Sequence, residues 1–318
     1  MTTSLTVQLR KMLLQELTQN ILPYWMIKMK DLVNGGFYGK RDGYDVLQPD
    51  ADKAIVLNTR ILWTFARAAR EFVDTAETAA YRETADRAYL YLQNFFIDPQ
   101  YGGVYWMVNA GGKPVNTKKQ IYAQAFAIYA LTEYFLATDD HKSLQYAKDL
   151  YKLVEAHSFD RQHNGYLEAF DQEWNLLDDL RLSDKDANEK KTMNTHLHLL
   201  EAYTNLYRCW PAADVGHQLR NLIQLFLEKI IDDQQHFQLF FDERWNVKSA
   251  MVSFGHDIEG SWLLQEAAEV LGDEQLIRVT KAKAVVMTDT TIREGMDIDG
   301  GLMNERHGNG SLDRDKHW

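Results

Sequence analysis

Apolar residues recur along most of the chain at intervals of three or four positions, the spacing of one face of an α-helix. Near the N-terminus, Leu9, Leu13, Leu17 and Ile21 follow one another in steps of four. The same period runs through seven further segments: 56–72, 78–96, 122–136, 193–210, 217–231, 258–272 and 275–288. None of these segments alternates between apolar and polar residues, and only five prolines interrupt the 318 residues. The pattern therefore predicts an all-α protein.

A repeat accompanies this helical pattern. Segments rich in glycine and aromatic residues recur in five places: GGFYGKRD from Gly35, GGVYWMVN from Gly102, GYLEAFDQEW from Gly165, FQLFFDERW from Phe237 and GGLMNERHG from Gly300. Their starts are 67, 63, 72 and 63 residues apart, which leaves room for two helices between copies. The alternative to a structural repeat is that these five glycine-aromatic segments are turns that resemble one another by chance. We expect an (α/α)6 barrel, in which each unit contributes an inner helix, an outer helix and a short β-hairpin-like loop.

The repeat also bears on domain organisation. Residues 1–318 are expected to form one barrel domain, but five units are visible where the closed form has six. The last copy runs into SLDRDKHW, which resembles the start of another helix, so we expect the natural protein to continue beyond Trp318. A ring that is open at this point would expose apolar helix faces. The 318-residue chain alone is therefore expected to be poorly soluble or to self-associate, and otherwise to be a monomer or homodimer.

Composition narrows the possible partners. Aspartate and glutamate outnumber lysine and arginine by 46 to 35, giving a formal net charge of -11. No basic surface is available to neutralise a phosphate backbone, so we expect no nucleic-acid partner. The chain has no uncharged apolar run long enough to span a membrane and no recognisable signal peptide. Its single cysteine, Cys209, rules out an intramolecular disulfide and agrees with a cytoplasmic location.

Aromatic residues make up 12% of the chain, and this points to a class of ligand. Flat apolar sugar faces stack on aromatic rings, while carboxylates and amides bind the hydroxyl groups. An acidic chain rich in aromatic residues therefore suits a small-molecule sugar. The sequence shows no phosphate-binding glycine loop, dinucleotide fingerprint or nucleophilic serine elbow. We accordingly expect no nucleotide cofactor.

The first candidate site is Asn194-Thr195-His196-Leu197-His198, at the start of a strongly periodic helix. Residues two apart on a helix point in nearly opposite directions, so His196 and His198 cannot bind one metal ion together. Asn194 and His198 are four apart and share a face, with Glu201 further along. His198 is therefore either a functional residue or a hydrogen-bonded core histidine.

The second candidate site is Gly255-His256-Asp257-Ile258-Glu259. His256 and Glu259 are three apart on a helix expected to begin near Asp257, so they can project together. A carboxylate beside an imidazole raises the pKa of the imidazole and orients one ring nitrogen, which suits a general acid or base. A metal site would need a third ligand that the local sequence lacks. We expect no metal and no other cofactor.

Four segments give the chain a recognisable identity: LNTRILW (57–63), YAQAFAIYAL (122–131), MNTHLHLLEAY (193–203) and GHDIEGSWLL (255–264). Together with NILPYWMIKMKD and GGFYG near the N-terminus, they resemble the N-acyl-D-glucosamine 2-epimerase superfamily, and within it the cellobiose 2-epimerases. The resemblance covers essentially the whole chain. It implies an (α/α)6 barrel that epimerises C2 of a reducing-end aldose without a metal. The substrate it implies is either mannose or a disaccharide such as cellobiose.

The resemblance also implies roles for individual residues. His256 matches one of two histidines that exchange the C2 proton, and His198 matches a histidine linked to ring opening and substrate support. The expected substrate-binding residues are Arg60, Tyr122, Asp186, Asn194, Glu259 and Trp318. In the family the chain continues through a tryptophan-rich helix, of which Trp318 resembles the first tryptophan, and the second proton-exchanging histidine follows it. Neither His307 nor His317 has that context, so the chain ending at Trp318 is expected to lack epimerase activity.

Three alternatives remain open at this stage. One is another reaction of the same superfamily, N-acylglucosamine 2-epimerisation or mannose isomerisation. Another is a glycoside hydrolase on an α/α barrel, which needs two carboxylates beside the scissile bond. Asp186 and Glu259 are the pair to consider for that role. The third is an inactive sugar-binding fragment.

Overall fold

The structure, a computed structural model, describes residues 2–183 and 186–315. Nine α-helices lie in this part of the chain: α1 (Thr2–Glu16), α2 (Ile55–Glu71), α3 (Thr78–Tyr91), α4 (Ile121–Thr138), α5 (His141–His157), α6 (Met193–Cys209), α7 (Ala213–Leu225), α8 (Phe254–Leu271) and α9 (Glu274–Gly295). Wider π-helical turns follow at Leu17–Ile21, Tyr24–Lys28, Leu92–Phe96 and Phe226–Ile230. The predicted all-α class is confirmed.

The helices form two layers. α2, α4, α6 and α8 pack side by side in that order, and α3, α5, α7 and α9 each pack on the helix that precedes them. Short connections make each consecutive pair an antiparallel hairpin. The first layer is therefore the inner wall and the second the outer wall, as the repeat predicted. Buried side chains from both layers form the main core, and Val252, Phe254 and Met303 form a separate small cluster.

Within the described residues, ten very short strands connect neighbouring units at one end of the inner helices. They are β1 (Lys53–Ala54), β2 (Met107–Val108), β3 (Pro114–Asn116), β4 (Lys119–Gln120), β5 (Ala169–Phe170), β6 (Lys191–Thr192), β7 (Phe240–Phe241), β8 (Val252–Ser253), β9 (Glu305–Arg306) and β10 (Leu312–Asp313). The strand before each inner helix pairs antiparallel with a strand from the next glycine-aromatic loop: β1 with β2, β4 with β5, β6 with β7 and β8 with β9. This pairing fixes the N-terminal ends of the inner helices.

A polar residue at the fourth position of the inner helices reinforces this attachment. Gln124 Oε1 accepts the backbone N–H of Val104 at 2.8 Å. His196 Nε2 accepts that of Tyr166 at 2.9 Å, while its Nδ1–H donates to the Thr192 carbonyl at 2.6 Å. Burial lowers the pKa of His196 to about 4, which keeps the ring neutral as this pattern requires. His196 is therefore a structural residue, and it points away from His198.

Buried lysine-aspartate pairs hold three of the loops against the inner helices. The pairs are Lys53–Asp31 (2.8 Å), Lys119–Asp98 (2.7 Å) and Lys191–Asp160 (2.8 Å). Removing one partner of such a pair would leave an uncompensated buried charge, which is strongly destabilising. In the fourth unit Val252 occupies the lysine position, and His236 instead contacts Asp257 at 2.7 Å.

The predicted helix boundaries need two corrections. The segment HKSLQYAKDLYKLVEAH forms α5, which was not among the predicted helices. The helix that carries His256 begins at Phe254 rather than near Asp257, because β8 leads directly into it. His256 therefore lies on the first turn of α8 rather than before it.

Apolar side chains are exposed on the first and last helices. On α1 they include Leu5 (70% exposed) and Val7 (66%), and on α9 Val285 (56%). Trp262 on α8 is also about half exposed, at 52%. Across the described residues, no helix is both long enough and apolar enough to cross a membrane.

Gly165 is a position where the fold requires glycine. It adopts φ +84°, and a Cβ atom there would lie 2.4 Å from Trp245 and 2.9 Å from His196 Nε2. We predict that Gly165→Ala lowers the free energy of unfolding by about 1–3 kcal/mol, through overpacking and backbone strain. Urea denaturation measures the change. Gly43→Ala is the matched control, because nothing lies within 4 Å of its Cβ position. Equal stability of the two variants would contradict the prediction.

Candidate active site

The barrel axis is lined by the same position of each inner helix. Arg60, Phe126, His198 and Glu259 are the sixth residues of α2, α4, α6 and α8. Because the strands fix the helix starts, equal positions project toward the axis together. The guanidinium carbon of Arg60 lies 4.7 Å from the centre of the Phe126 ring, and the Phe126 and His198 rings are 4.5 Å apart. We call these four residues the axial ring.

Tyr122, one turn before Phe126, completes the wall beside Arg60. The Arg60 Nη2–H donates to the Tyr122 hydroxyl oxygen at 3.2 Å. The Tyr122 ring also stands edge-on to His198, with centroids 4.9 Å apart and an interplanar angle of 85°. Burial raises the pKa of the Tyr122 phenol, so it remains protonated at neutral pH. The two residues together offer several N–H donors and one hydroxyl group to a ligand.

A carboxylate on its own helix orients His198. Its Nδ1 lies 3.0 Å from Glu201 Oε2, and the His198 side chain is only 4% exposed. A hydrogen bond to one ring nitrogen fixes the ring plane and the tautomer. The sequence had placed Glu201 further along this face, and the contact confirms that placement. This contact orients the imidazole, and it agrees with both alternatives for His198, a functional residue or a hydrogen-bonded core histidine.

His256 is held by Ser253 rather than by Glu259. Its Nδ1 lies 2.7 Å from the Ser253 hydroxyl oxygen. Burial, together with the neighbouring charge of His198, lowers the pKa of His256 to about 4. The expectation that Glu259 raises this pKa is therefore wrong, because desolvation of the imidazolium outweighs any gain from that carboxylate. His256 is neutral at pH 7.

Burial also changes the pKa of Glu259. Desolvation raises the pKa of its carboxyl group, and the charge of Glu201 adds to the rise, while His198 and Arg60 oppose it. These influences place Glu259 within electrostatic reach of the other charged groups on the axis.

His256 opens into a cleft of about 90 Å³ that is also lined by Asp186 and Asn194. Asn194 Oδ1 is buried and has no hydrogen-bond partner within residues 2–183 and 186–315. A buried acceptor without a donor calls for an explanation, and a sugar hydroxyl would supply that donor. Asp186 accepts hydrogen bonds from the backbone N–H and the hydroxyl of Ser183, at 2.8 and 2.9 Å.

The candidate residues thus fall into two adjoining groups. Arg60, Tyr122, His198 and Glu259 line the axis, whereas Asp186, Asn194 and His256 line the cleft. The groups are joined because α6 carries both Asn194 and His198, and α8 carries both His256 and Glu259. Trp318 lies outside the described residues. Among the residues described, no group of three or more histidine, cysteine, aspartate or glutamate side chains could hold a metal ion.

Four contacting residues were absent from the sequence prediction as site residues: Phe126, Glu168, Glu201 and Ser253. Phe126 could have been found, because the repeat places it at the same helix position as Arg60 and His198. Ser253 ends strand β8 and Glu168 directly precedes strand β5, and helical periodicity gives no information about side-chain direction at either position.

Comparison with known proteins identifies the family. Residues 36–318 match the N-acylglucosamine 2-epimerase (GlcNAc 2-epimerase) family. The chain belongs to this family. It is 52% identical to the cellobiose 2-epimerase of Bacteroides fragilis over 312 residues, which are 98% of this chain and 78% of that relative. This sugar 2-epimerase is therefore an isomerase acting on carbohydrate, as the motifs implied.

Solved structures confirm the (α/α)6 barrel. The cellobiose 2-epimerase of Spirochaeta thermophila superimposes with a TM-score of 0.89 at 36% identity, covering 97% of this chain and 75% of that one. A D-mannose isomerase superimposes with a TM-score of 0.78 at 20% identity, over 93% of this chain and 74% of that one. The second likeness shows a shared fold alone.

Proposed function

We propose that this epimerase reversibly inverts C2 of a reducing-end aldose, with cellobiose as substrate and glucosyl-mannose as product. The observation that carries the proposal is the convergence of Arg60, His198 and His256 at the N-terminal ends of the inner helices. Identity to cellobiose 2-epimerases supports the disaccharide. The single cysteine supports a cytoplasmic location.

The reaction begins with an open-chain aldose, in which the C1 aldehyde makes the C2 hydrogen weakly acidic. Neutral His256 removes that proton, and the C2–H electron pair forms the C1=C2 double bond of a cis-enediolate. The aldehyde oxygen receives the displaced π electrons as negative charge. A proton delivered to the opposite face of C2 then gives the inverted epimer. His256 suits the first step because burial keeps its imidazole unprotonated at neutral pH.

Arg60 and Tyr122 offer the hydrogen-bond donors that would stabilise the negative charge of the enediolate. A planar guanidinium can donate to two adjacent sugar oxygens at once, and preorganised donors are worth most where negative charge develops. The contacts of Arg60 with the Tyr122 hydroxyl and the Phe126 ring hold the guanidinium in place before substrate arrives. His198, oriented by Glu201, supports the opened sugar beside this pair. Inversion further requires an acid on the opposite face of C2.

The pH dependence tests the assignment of the base. A base must be unprotonated, so kcat/KM falls as pH falls through its pKa in the free enzyme. With the pKa of His256 lowered to about 4, we predict that kcat/KM does not fall between pH 7 and about pH 5 and declines below that range. Initial rates with cellobiose across this range measure the profile. An acid limb centred near the usual histidine value of about 6.5 would contradict the assignment.

Separate assays of three candidate sugars test the choice of substrate. The full-length enzyme is incubated separately with cellobiose, mannose and N-acetylglucosamine, and products are resolved by NMR. We expect glucosyl-mannose from cellobiose with the highest kcat/KM of the three. A higher kcat/KM on mannose or N-acetylglucosamine would assign the chain to another member activity of its family.

A further inference from the structure

Glu168 is a buried carboxyl group at the edge of the cleft. Its side chain is 1% exposed, and it lines the same cleft as Asn194 and His256. One carboxyl oxygen accepts the backbone N–H of Thr192 at 2.8 Å, and the other accepts the hydroxyl of Thr195 at 2.6 Å. Both partners belong to the start of α6, where Thr192 is the N-cap residue. The carboxyl group therefore binds the first turn of α6 through two hydrogen bonds.

The backbone of Glu168 makes a hydrogen bond to a second inner helix, α4. The Glu168 carbonyl accepts the N–H of Ile121, the first residue of α4, at 2.9 Å. Glu168 thus contacts the starts of both α4 and α6. These are the helices that carry Tyr122 on one side and Asn194 and His198 on the other.

Comparison of the units shows that the carboxyl group is not needed for the backbone contact. In the other units the first N–H of the inner helix is accepted by the carbonyls of Trp106, Leu239 and Asn304. Among the units that the structure describes, only the one between Tyr122 and Asn194 places a carboxylic acid at this position. The backbone contact therefore does not depend on the Glu168 side chain, and the two hydrogen bonds of its carboxyl group to α6 are an addition particular to this unit.

We propose that Glu168 is a positioning residue of the epimerisation. Its carboxyl group fixes the first turn of α6, and so holds Asn194 toward the cleft and His198 against Tyr122. The inference rests on the proposed function, and it assigns Glu168 no direct contact with the sugar.

The electrostatic state of Glu168 determines which variant should replace it. Burial raises its pKa to about 8, and the charge of Asp186 contributes to the rise. The carboxyl group is therefore mostly protonated at neutral pH. Glu168→Gln preserves its shape and its neutral charge, since the amide oxygen can accept from Thr192 and the amide nitrogen can donate to Thr195. Glu168→Leu introduces the residue that another unit carries at this place, and it removes both hydrogen bonds.

The experiment compares the wild-type enzyme with Glu168→Leu and Glu168→Gln at pH 7. We expect Glu168→Leu to lower kcat on cellobiose at least tenfold with KM changed less than threefold. Glu168→Gln should retain at least half of the wild-type kcat. Thermal unfolding of each variant confirms that it is folded. Should Glu168→Leu fail to fold, Thr195→Val removes one of the same hydrogen bonds with little change in shape, and it should lower kcat in the same direction.

A second readout is independent of turnover. In protein labelled with ¹⁵N-histidine, we expect Glu168→Leu to shift the His198 imidazole resonances, which Glu168→Gln leaves in place. A wild-type enzyme without epimerase activity would overturn the proposed function, and the His198 resonances would then decide the role of Glu168. Unchanged His198 resonances in Glu168→Leu, or wild-type kcat in that variant, would overturn the inference.

Discussion

Replacing His256 with asparagine is expected to lower the exchange of the C2 proton with solvent by about 10²–10⁴-fold in the full-length enzyme, the usual effect of losing a general base. Asparagine can keep a hydrogen bond to Ser253, but it cannot take up the proton. Substrate binding should change much less, because Arg60, Tyr122 and Asn194 remain in place. Deuterium uptake at C2 of cellobiose in heavy water, followed by NMR, measures the rate.

A surface histidine supplies the control for this variant. His141 is 79% exposed and lies on the outer helix α5, so His141→Asn should exchange the C2 proton at the wild-type rate. The base assignment fails if His256→Asn takes up deuterium as fast as His141→Asn does.

The second large effect is expected for Arg60→Lys. The substitution keeps the positive charge, but it removes the planar donor fork and its stacking on Phe126. We expect kcat/KM on cellobiose to fall at least about tenfold, which corresponds to about 1.4 kcal/mol of transition-state stabilisation. Steady-state rates across a range of cellobiose concentrations separate the change in kcat from the change in KM.

Arg67→Lys is the matched control on the same helix. Arg67 pairs with Glu71 at 2.7 Å and lies two turns beyond Arg60, away from the helix start. The same chemical change there should leave kcat/KM within about twofold of wild type. If Arg60→Lys behaves like Arg67→Lys, Arg60 is a structural residue and the enediolate is stabilised by other groups.

The fold was largely predictable because its units repeat the same physical pattern. The spacing of the glycine-aromatic loops predicted the inner and outer helices, and the structure confirms both layers. The missed helix, α5, carries charged and aromatic residues among its apolar ones, yet its N-cap is readable. Asp140 accepts the N–H groups of Lys142 and Ser143, a typical helix-start signal.

The site was predictable only where its contacts lie within one helix. The His198–Glu201 contact follows from a spacing of three residues. The Arg60–Tyr122 hydrogen bond joins residues 62 positions apart, and its prediction needs the register of two helices. The family resemblance identified Arg60 and Tyr122 individually, but it did not indicate that they contact each other.

The pKa of His256 shows a further limit of local sequence. Glu259 is three residues away, which favoured a raised pKa. The structure instead buries the imidazole and sets His198 close enough to oppose its protonation, so the pKa falls to about 4. Burial depends on all the elements that surround a residue, and it can reverse an effect estimated from one neighbour.

The label at C2 of the product tests the central claim most directly. The full-length enzyme is incubated with cellobiose in heavy water, and the product is examined by NMR. Proton transfer through an enediolate predicts glucosyl-mannose that carries deuterium at C2. Glucosyl-mannose with only protium at C2 throughout the reaction, or free glucose from cleavage of the disaccharide, would contradict this account.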